Sequence, residues 1–341
     1  MKLNFYSDYV EGAHSRILDA IVSTNAVKTT GYGIDPYCDN AKALICKEVG
    51  DPDAKVHFLM GGTQANLTVL SAILSPTQGV LSADSGHIAT HEVGAIEATG
   101  HKVIVLPACQ GKLSPEAAEE YFSSYYADPT RDFAVAPGAV YISQPTEYGT
   151  LYTKEELTLI SSITHKFGAK LFIDGARLGY ALASVENDLS LADIYSLSDA
   201  FYIGGTKCGA LFGEAVVMKP SLCPSFFSYM KQRGALLAKG RLLGLQFGVL
   251  FTDGLYTEIC KGAVQKALRI KNTLLDKGYS FLMDSPTNQQ FPIVDEAKLA
   301  DLEDKVIFTV WERLPNRMTA IRLVTSFMTT DGQVDDLLKL F

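Results

Sequence analysis

The 341-residue chain is short of several things, and each shortage removes a class of function. It has no run near the roughly 18 apolar residues of a membrane-spanning helix, and Met1-Lys2-Leu3-Asn4-Phe5-Tyr6-Ser7-Asp8 carries no apolar signal core. Clustered lysine and arginine are missing too. A formal net charge of −8 and a pI near 5.3 argue against nucleic acid or an anionic membrane as partner, because either needs concentrated positive charge. The six cysteines, Cys38, Cys46, Cys109, Cys208, Cys223 and Cys260, lie far apart with no CxxC pair, so neither a disulfide framework nor a metal site is expected. Internal repeats and low-complexity linkers are absent. Reduced thiols and a cytoplasmic location are the expectation.

What is present begins with apolar content. At 47% hydrophobic residues the chain can bury a large core, enough for one big and one smaller domain. Two stretches organise it. Phe201-Tyr202-Ile203-Gly204-Gly205-Thr206-Lys207 and Leu171-Phe172-Ile173-Asp174-Gly175-Ala176-Arg177 each read as a short buried strand that breaks into glycines and small residues, where the backbone can turn closely around a ligand. One ends in a lysine, the other in an aspartate. A lysine at the end of a buried strand tends to lose its proton and is a ready Schiff-base former. An aspartate at the end of a neighbouring strand is the counter-ion a pyridinium nitrogen needs, and the two together suggest pyridoxal phosphate (PLP).

Other stretches point the same way. Val56-His57-Phe58-Leu59-Met60 reads as a strand running into Gly61-Gly62-Thr63-Gln64-Ala65-Asn66 and an apolar helix from Leu67 to Leu74, a strand–glycine turn–helix that makes an anion site. The alternative is an ordinary tight turn with Thr63 as helix cap. His87 follows the strand Gly79–Ser82 and a loop, at a position where an imidazole can stack on a flat heterocycle or move protons; a helix carrying His91 and Glu92 comes next. Strands are expected at 102–106 and 139–143, and helices at 115–126 and 154–167. This alternation predicts an α/β fold, a mostly parallel sheet with helices on both faces. Beyond Lys207, a long helical region from Tyr229 to Leu274 carries Lys231, Arg233, Lys239 and Arg241, as a solvated face or a phosphate contact. Separated strands at 280–283, 291–294, 306–311 and 320–324 and a closing helix from Gln333 form a smaller α/β unit. The expected division is a large domain over 1–250 with an N-terminal arm, and a small domain over 251–341.

These residues carry a family resemblance that runs almost end to end. Ser7-Asp8, Tyr32-Gly33-x-Asp35-Pro36, Gly62-Thr63-x-Ala65-Asn66, His87-Ile88 with Glu92, Asp174-Gly175-Ala176-Arg177-Leu178 and Arg322-Leu323-Val324-Thr325-Ser326 resemble the low-specificity threonine aldolases of the β-eliminating lyase branch of fold-type I PLP enzymes. The resemblance implies a large PLP-binding domain and a carbon–carbon lyase cleaving L-threonine or L-allo-threonine to glycine and acetaldehyde. It implies that Lys207 holds PLP as a Schiff base, Asp174 pairs with the pyridine nitrogen, and His87 stacks on the ring. Gly62, Thr63 and Thr206 would cup the phosphate, and Ser7, Arg177 and Arg322 would take the substrate carboxylate, whose planar shape an arginine fork matches. It further implies a homodimer or homotetramer with shared active sites, in which Tyr32 and Arg241 reach substrate and cofactor across an interface. Locally, Arg177 has the alternative of an ion pair with Asp174, and Arg322 that of an exposed strand end. A base, His87 or an ordered water, would take the β-hydroxyl proton.

Two features depart from the family pattern. Gly204-Gly205-Thr206-Lys207 replaces the usual Ser-Leu-Ser-Lys, and Thr146-Glu147-Tyr148 stands where many members have Thr-His-Asn, which puts a carboxylate beside the β-substituent. A PLP-dependent β-elimination on a larger, aromatic amino acid therefore stays open, with Glu147 and nearby aromatics binding the side chain. So do a non-catalytic phosphate-binding α/β protein and a PLP binder that has lost its chemistry.

Overall fold

The computed structural model describes residues 2–341. Its centre is a seven-stranded sheet in the order Lys55–Leu59, Glu214–Met218, Ala200–Gly204, Lys170–Asp174, Ala136–Ser143, Gln78–Ala83 and Val103–Leu106. Only Glu214–Met218 runs antiparallel to its neighbours. The strands are apolar because helices cover both faces, and alternation sorts their side chains between two cores. Val140, Ile142, Leu171, Ile173, Phe201 and Ile203 point to one face. Tyr141, Phe172 and Tyr202 point to the other, against Ala65, Val69 and Leu70 of the helix Gly62–Ile73. Asp174, two residues beyond Phe172, shares that second face.

All parallel strands deliver their carboxyl ends to one edge, and the reversed strand places its first residue, Glu214, there too, between Leu59 and Gly204. Helices after this edge begin where the sheet ends. That is where an open α/β sheet binds its ligand.

A second sheet joins Gln289–Gln290, Ile293–Asp295, Thr309–Leu314 and Met318–Val324, all antiparallel around the last. The amino terminus belongs with it. Leu3–Asn4 pairs in parallel with Val306–Ile307, the Phe5 carbonyl accepts from Val324 N–H at 2.9 Å, and the Phe5 ring is buried among Ile270, Leu274 and Leu323.

The expected elements largely form, with instructive exceptions. The helical region from Tyr229 is three helices, Phe226–Gln232, Arg241–Leu250 and Leu255–Asp276, separated where Gly234 (φ 69°) and Gly254 (φ 70°) take the left-handed conformation. The helix expected around His91 and Glu92 is one turn, His87–Thr90, stopped by Val93 and Gly94 at φ 51° and 71°. The helix after the glycine turn starts five residues early, at Gly62. Residues 280–283 contribute a single bridge, Phe281 to Pro292, rather than a strand.

Candidate active site

The sheet register explains how the site assembles. Ser143 lies opposite Asp174, and Tyr141, Asp174 and Tyr202 all face the helix that carries Asn66. Tyr141 O–H donates to Asp174 Oδ2 at 2.6 Å and Asn66 Nδ2 to the same oxygen at 3.0 Å; Tyr202 O–H and Ala176 N–H (2.9 Å) donate to Oδ1. Burial alone would push this carboxyl up. The His87 charge and the tyrosine and backbone hydrogen bonds outweigh burial and hold Asp174 below the ordinary carboxylate range. Asp174 is therefore a buried anion.

His87 begins the one-turn helix. Its Nδ1 meets Glu92 Oε1 at 2.8 Å, the same oxygen that accepts from Asn66 Nδ2 at 2.7 Å. The chain Asp174–Asn66–Glu92–His87 ties the imidazole to the buried aspartate through hydrogen bonds. Glu147 Oε1 accepts the His87 backbone N–H at 2.9 Å and the Ser143 hydroxyl at 2.7 Å, and burial pushes its carboxyl up against the pull of the Ser143 bond.

Lys207 follows Gly204, with its carbonyl held by Tyr180 O–H at 2.6 Å and the Gly204 carbonyl by Tyr256 O–H at 2.9 Å. Burial lowers its proton affinity, and the Arg177 charge pushes the same way. Asp8, Asp174 and Glu214 oppose them, and the net shift is downward. A lysine so placed has a reachable neutral form, the nucleophile of Schiff-base chemistry. Glu214, whose Oε2 accepts from Gly205 N–H at 3.1 Å, is pushed by burial up to about 8.

Arg177 does not pair with Asp174. It makes a two-pronged ion pair with buried Asp8, Nε to Oδ2 at 2.7 Å and Nη2 to Oδ1 at 3.0 Å, and Asn288 Nδ2 adds a bond to Asp8 at 2.8 Å. Ser7, buried next door, donates to Asp8 Oδ1 at 3.3 Å. Arg322 is only loosely tied, to Gln289 and Thr309 at 3.3 Å each, lies over the Trp311 ring at 5.0 Å, and leaves Nε without a partner. Among the described residues it meets no carboxylate within ion-pair distance, and burial with the Arg177 charge lowers it to about 10. It is a cation in want of an anion.

The glycine turn is not capped by Thr63. The helix begins at Gly62 after an extended Gly61 with no side-chain hydrogen bond, and Thr63 is exposed, so the first-turn N–H groups stay available to an anion. Thr206 turns its hydroxyl to Gly213 N–H at 3.0 Å. Tyr32 and Arg241 stand apart from this cluster. Tyr32 (φ 62°) lies under the Lys231 ammonium at 4.8 Å, and Arg241 holds the carbonyls of Val27 and Thr24 at 2.6 and 3.0 Å and packs on Tyr37. Sequence reasoning did not single out Asp8, Asn66, Tyr141, Tyr202, Glu92 or Glu214 as site residues. Four of them, Asp8, Asn66, Glu92 and Tyr202, sit inside stretches spelled out above.

The site has too few protons for its acceptors. Asn66 Oδ1 and Glu92 Oε2 are buried without partners beside the Asp174 anion and the His87 imidazole, so the pocket keeps acceptor capacity and negative charge for a cationic nitrogen heterocycle. Together with the lysine, the helix amino terminus and the buried aspartate, these residues fit PLP. Fold and site define a fold-type I PLP-dependent enzyme; the fold is shared with the aspartate aminotransferase of Thermus thermophilus (14% identity, TM-score 0.73, covering 100% of this chain and 91% of that one). The chain belongs to the beta-eliminating lyase family, whose profile matches residues 4–279. It is 30% identical over 254 residues to the low-specificity L-threonine aldolase of Pseudomonas aeruginosa, covering 73% of this chain and 72% of that protein. It is 28% identical over 306 residues to that of a Pseudomonas species, covering 88% and 87%. A solved structure of Leishmania major threonine aldolase superposes at TM-score 0.95 with 42% identity, covering 99% of this chain and 98% of that one. The protein is a PLP-dependent lyase.

Proposed function

We propose that the enzyme cleaves L-threonine and L-allo-threonine to glycine and acetaldehyde. The observation that carries this is the end-to-end likeness to the Leishmania major threonine aldolase, which extends over both sheets. PLP, when bound, supplies the electron sink for breaking the Cα–Cβ bond. The residues do the rest. Lys207 would be the covalent anchor of PLP, Asp174 would pair with the pyridine nitrogen, and His87 would cover the ring. Gly62, Thr63 and Thr206 take the phosphate end. Arg322 receives the substrate carboxylate, with Ser7 and the Asp8-anchored Arg177 beside it, and Glu147 lines the β-substituent side.

The protein is proposed to work in the cytoplasm on a free amino acid, as a homodimer or homotetramer with shared sites, its large domain ending near residue 250. Tyr32 and Arg241 support sharing, because neither contacts Lys207, Asp174 or His87 within its own chain. Tyr32 also lines an apolar groove of about 880 Å³ with Cys38, Phe58, Met230 and Leu243, which suits a second copy. A second reading draws on Tyr148, whose ring lies 5.6 Å from Trp311 and 6.0 Å from Phe291 beside Glu147: elimination from an aromatic amino acid.

The test is the visible spectrum of purified holoenzyme with L-threonine, L-allo-threonine and glycine, with acetaldehyde assayed in the same cuvette. Acetaldehyde from either hydroxy acid and a new absorption band with glycine are expected. A yellow protein releasing pyruvate and ammonia from an aromatic amino acid, and no acetaldehyde, would move the substrate to the second reading.

A further inference from the structure

His91 takes no part in the hydrogen-bond network around Asp174, yet it adjoins His87. It closes the one-turn helix, its N–H donating to the His87 carbonyl at 2.9 Å, and its ring lies edge-on to the His87 ring with centroids 5.6 Å apart. Unlike that of His87, its imidazole makes no hydrogen bond among the described residues, and the residue is exposed. His87 is committed to Glu92, Asp174 to four donors, Asp8 to Arg177 and Asn288, and one oxygen of Glu147 to His87 N–H and Ser143.

The charged groups around His91 come from three elements. His87 faces it from its own turn, Lys207 from the loop after Gly204, and Arg322 from the second sheet; burial first, then the neighbouring His87, Arg322 and Lys207 in that order, lower its proton affinity. Adjacent Glu92 is turned inward to Asn66 and His87. The ring is therefore a neutral imidazole near neutral pH, with a lone pair to offer. Lys207 is where the substrate nitrogen arrives, and Arg322 where its carboxylate arrives. His91 feels the charges of both and stands one helical turn from His87, its ring 5.6 Å from that of His87 and free of any hydrogen bond among the described residues.

We propose that His91 is the general base, and in the reverse direction the general acid, for the β-oxygen of the substrate. This rests on the aldolase reading above. In cleavage the β-hydroxyl proton moves to a ring nitrogen of His91 as the O–Cβ bond becomes a carbonyl. The Cα–Cβ bond breaks, its electron pair stays with Cα, and acetaldehyde leaves. Cα then takes a proton from solvent, and His91 returns its own to solvent.

The experiment compares wild type, His91→Asn and Glu147→Gln as holoenzymes. It measures threonine cleavage between about pH 5 and 9 and, separately, exchange of the glycine α-proton with deuterated water, a step that needs no base at a β-oxygen. His91→Asn is expected to cut kcat on threonine by roughly 10²–10⁴ and to remove the acid limb of the pH profile, while glycine exchange and the glycine-induced spectral change persist. Glu147→Gln should keep the acid limb. In the protein without cofactor, the His91 imidazole NMR signal, assigned by its loss in the variant, should titrate below the ordinary histidine range. An acid limb that survives in His91→Asn, a limb that disappears in Glu147→Gln, or a parallel fall of cleavage and exchange would each overturn the assignment while leaving the aldolase reading intact. Wild type that exchanges glycine but yields no acetaldehyde would overturn both.

Discussion

The ion pair between Arg177 and Asp8 shows what a single residue decides here. A buried guanidinium with two bonds to one carboxylate is stable only while both partners remain, because an unpaired buried charge is more costly than the pair is favourable. Burial would raise Asp8 and lower Arg177, and their mutual attraction reverses both shifts. Asp8→Ala is therefore expected to destabilise the protein by about 3–5 kcal/mol, measured by urea denaturation at pH 7, and Arg177→Lys to lose the bidentate geometry and much of that amount. A cost under about 1 kcal/mol for Asp8→Ala would mean that water replaces the carboxylate. Lys207 and Asp174 stand out in the sequence only as a pair closing two apolar runs that break into small residues, since either alone reads as a surface lysine or a capping aspartate. Asp8 does not stand out. Its partner lies 169 positions away, and Asp174, three residues from Arg177, offered a local partner that the fold turns instead toward Tyr141 and Tyr202.

At the scale of elements, the glycines after Asp174 and Ile203 mark where two strand ends nearly touch. A Cβ on Gly175 would sit 1.9 Å from the Tyr202 carbonyl oxygen, and one on Gly204 would sit 2.2 Å from that of Ala176. These contacts are backbone against backbone, so no side chain can move aside. Gly175→Ala is expected to cost about 3 kcal/mol and to loosen the cofactor by shifting Asp174, read as a lower melting temperature and faster PLP loss on dialysis. An unchanged melting temperature would show that the strands can part freely. The central strands were legible because burial on both faces writes them as unbroken apolar runs. Glycine breaks within helical periodicity were less so: Gly234 and Gly254 interrupt a pattern that otherwise reads as one long helix, and only their left-handed φ values decide it. The single turn at His87 was hidden for the same reason, and with it the position of His91.

Across the whole molecule, the amino-terminal segment ties the two sheets together. Leu3–Asn4 adds to Val306–Ile307, Phe5 is buried in the second core, and Ser7 and Asp8 then reach the edge of the first sheet. No periodicity announces a two-residue strand, so this joining of the chain's two ends was beyond reach of the sequence. The outer edge of the large sheet carries a different whole-molecule property. His57, in the edge strand Lys55–Leu59, packs against Phe226 at 4.9 Å and lines the same groove as Tyr32. Burial lowers its imidazole to about 4, with Lys42 and Lys55 pushing the same way. The folded value lies below the ordinary 6.5, so the unfolded chain takes up the proton first as pH falls. The stability tied to a neutral His57 is thus present above about pH 6.5 and lost progressively toward pH 4, up to about 3 kcal/mol in all. Urea denaturation of wild type and His57→Gln across this window should show a steeper loss in wild type, with the two curves converging toward pH 4. Parallel curves would mean that the groove admits enough water to hydrate the charged ring.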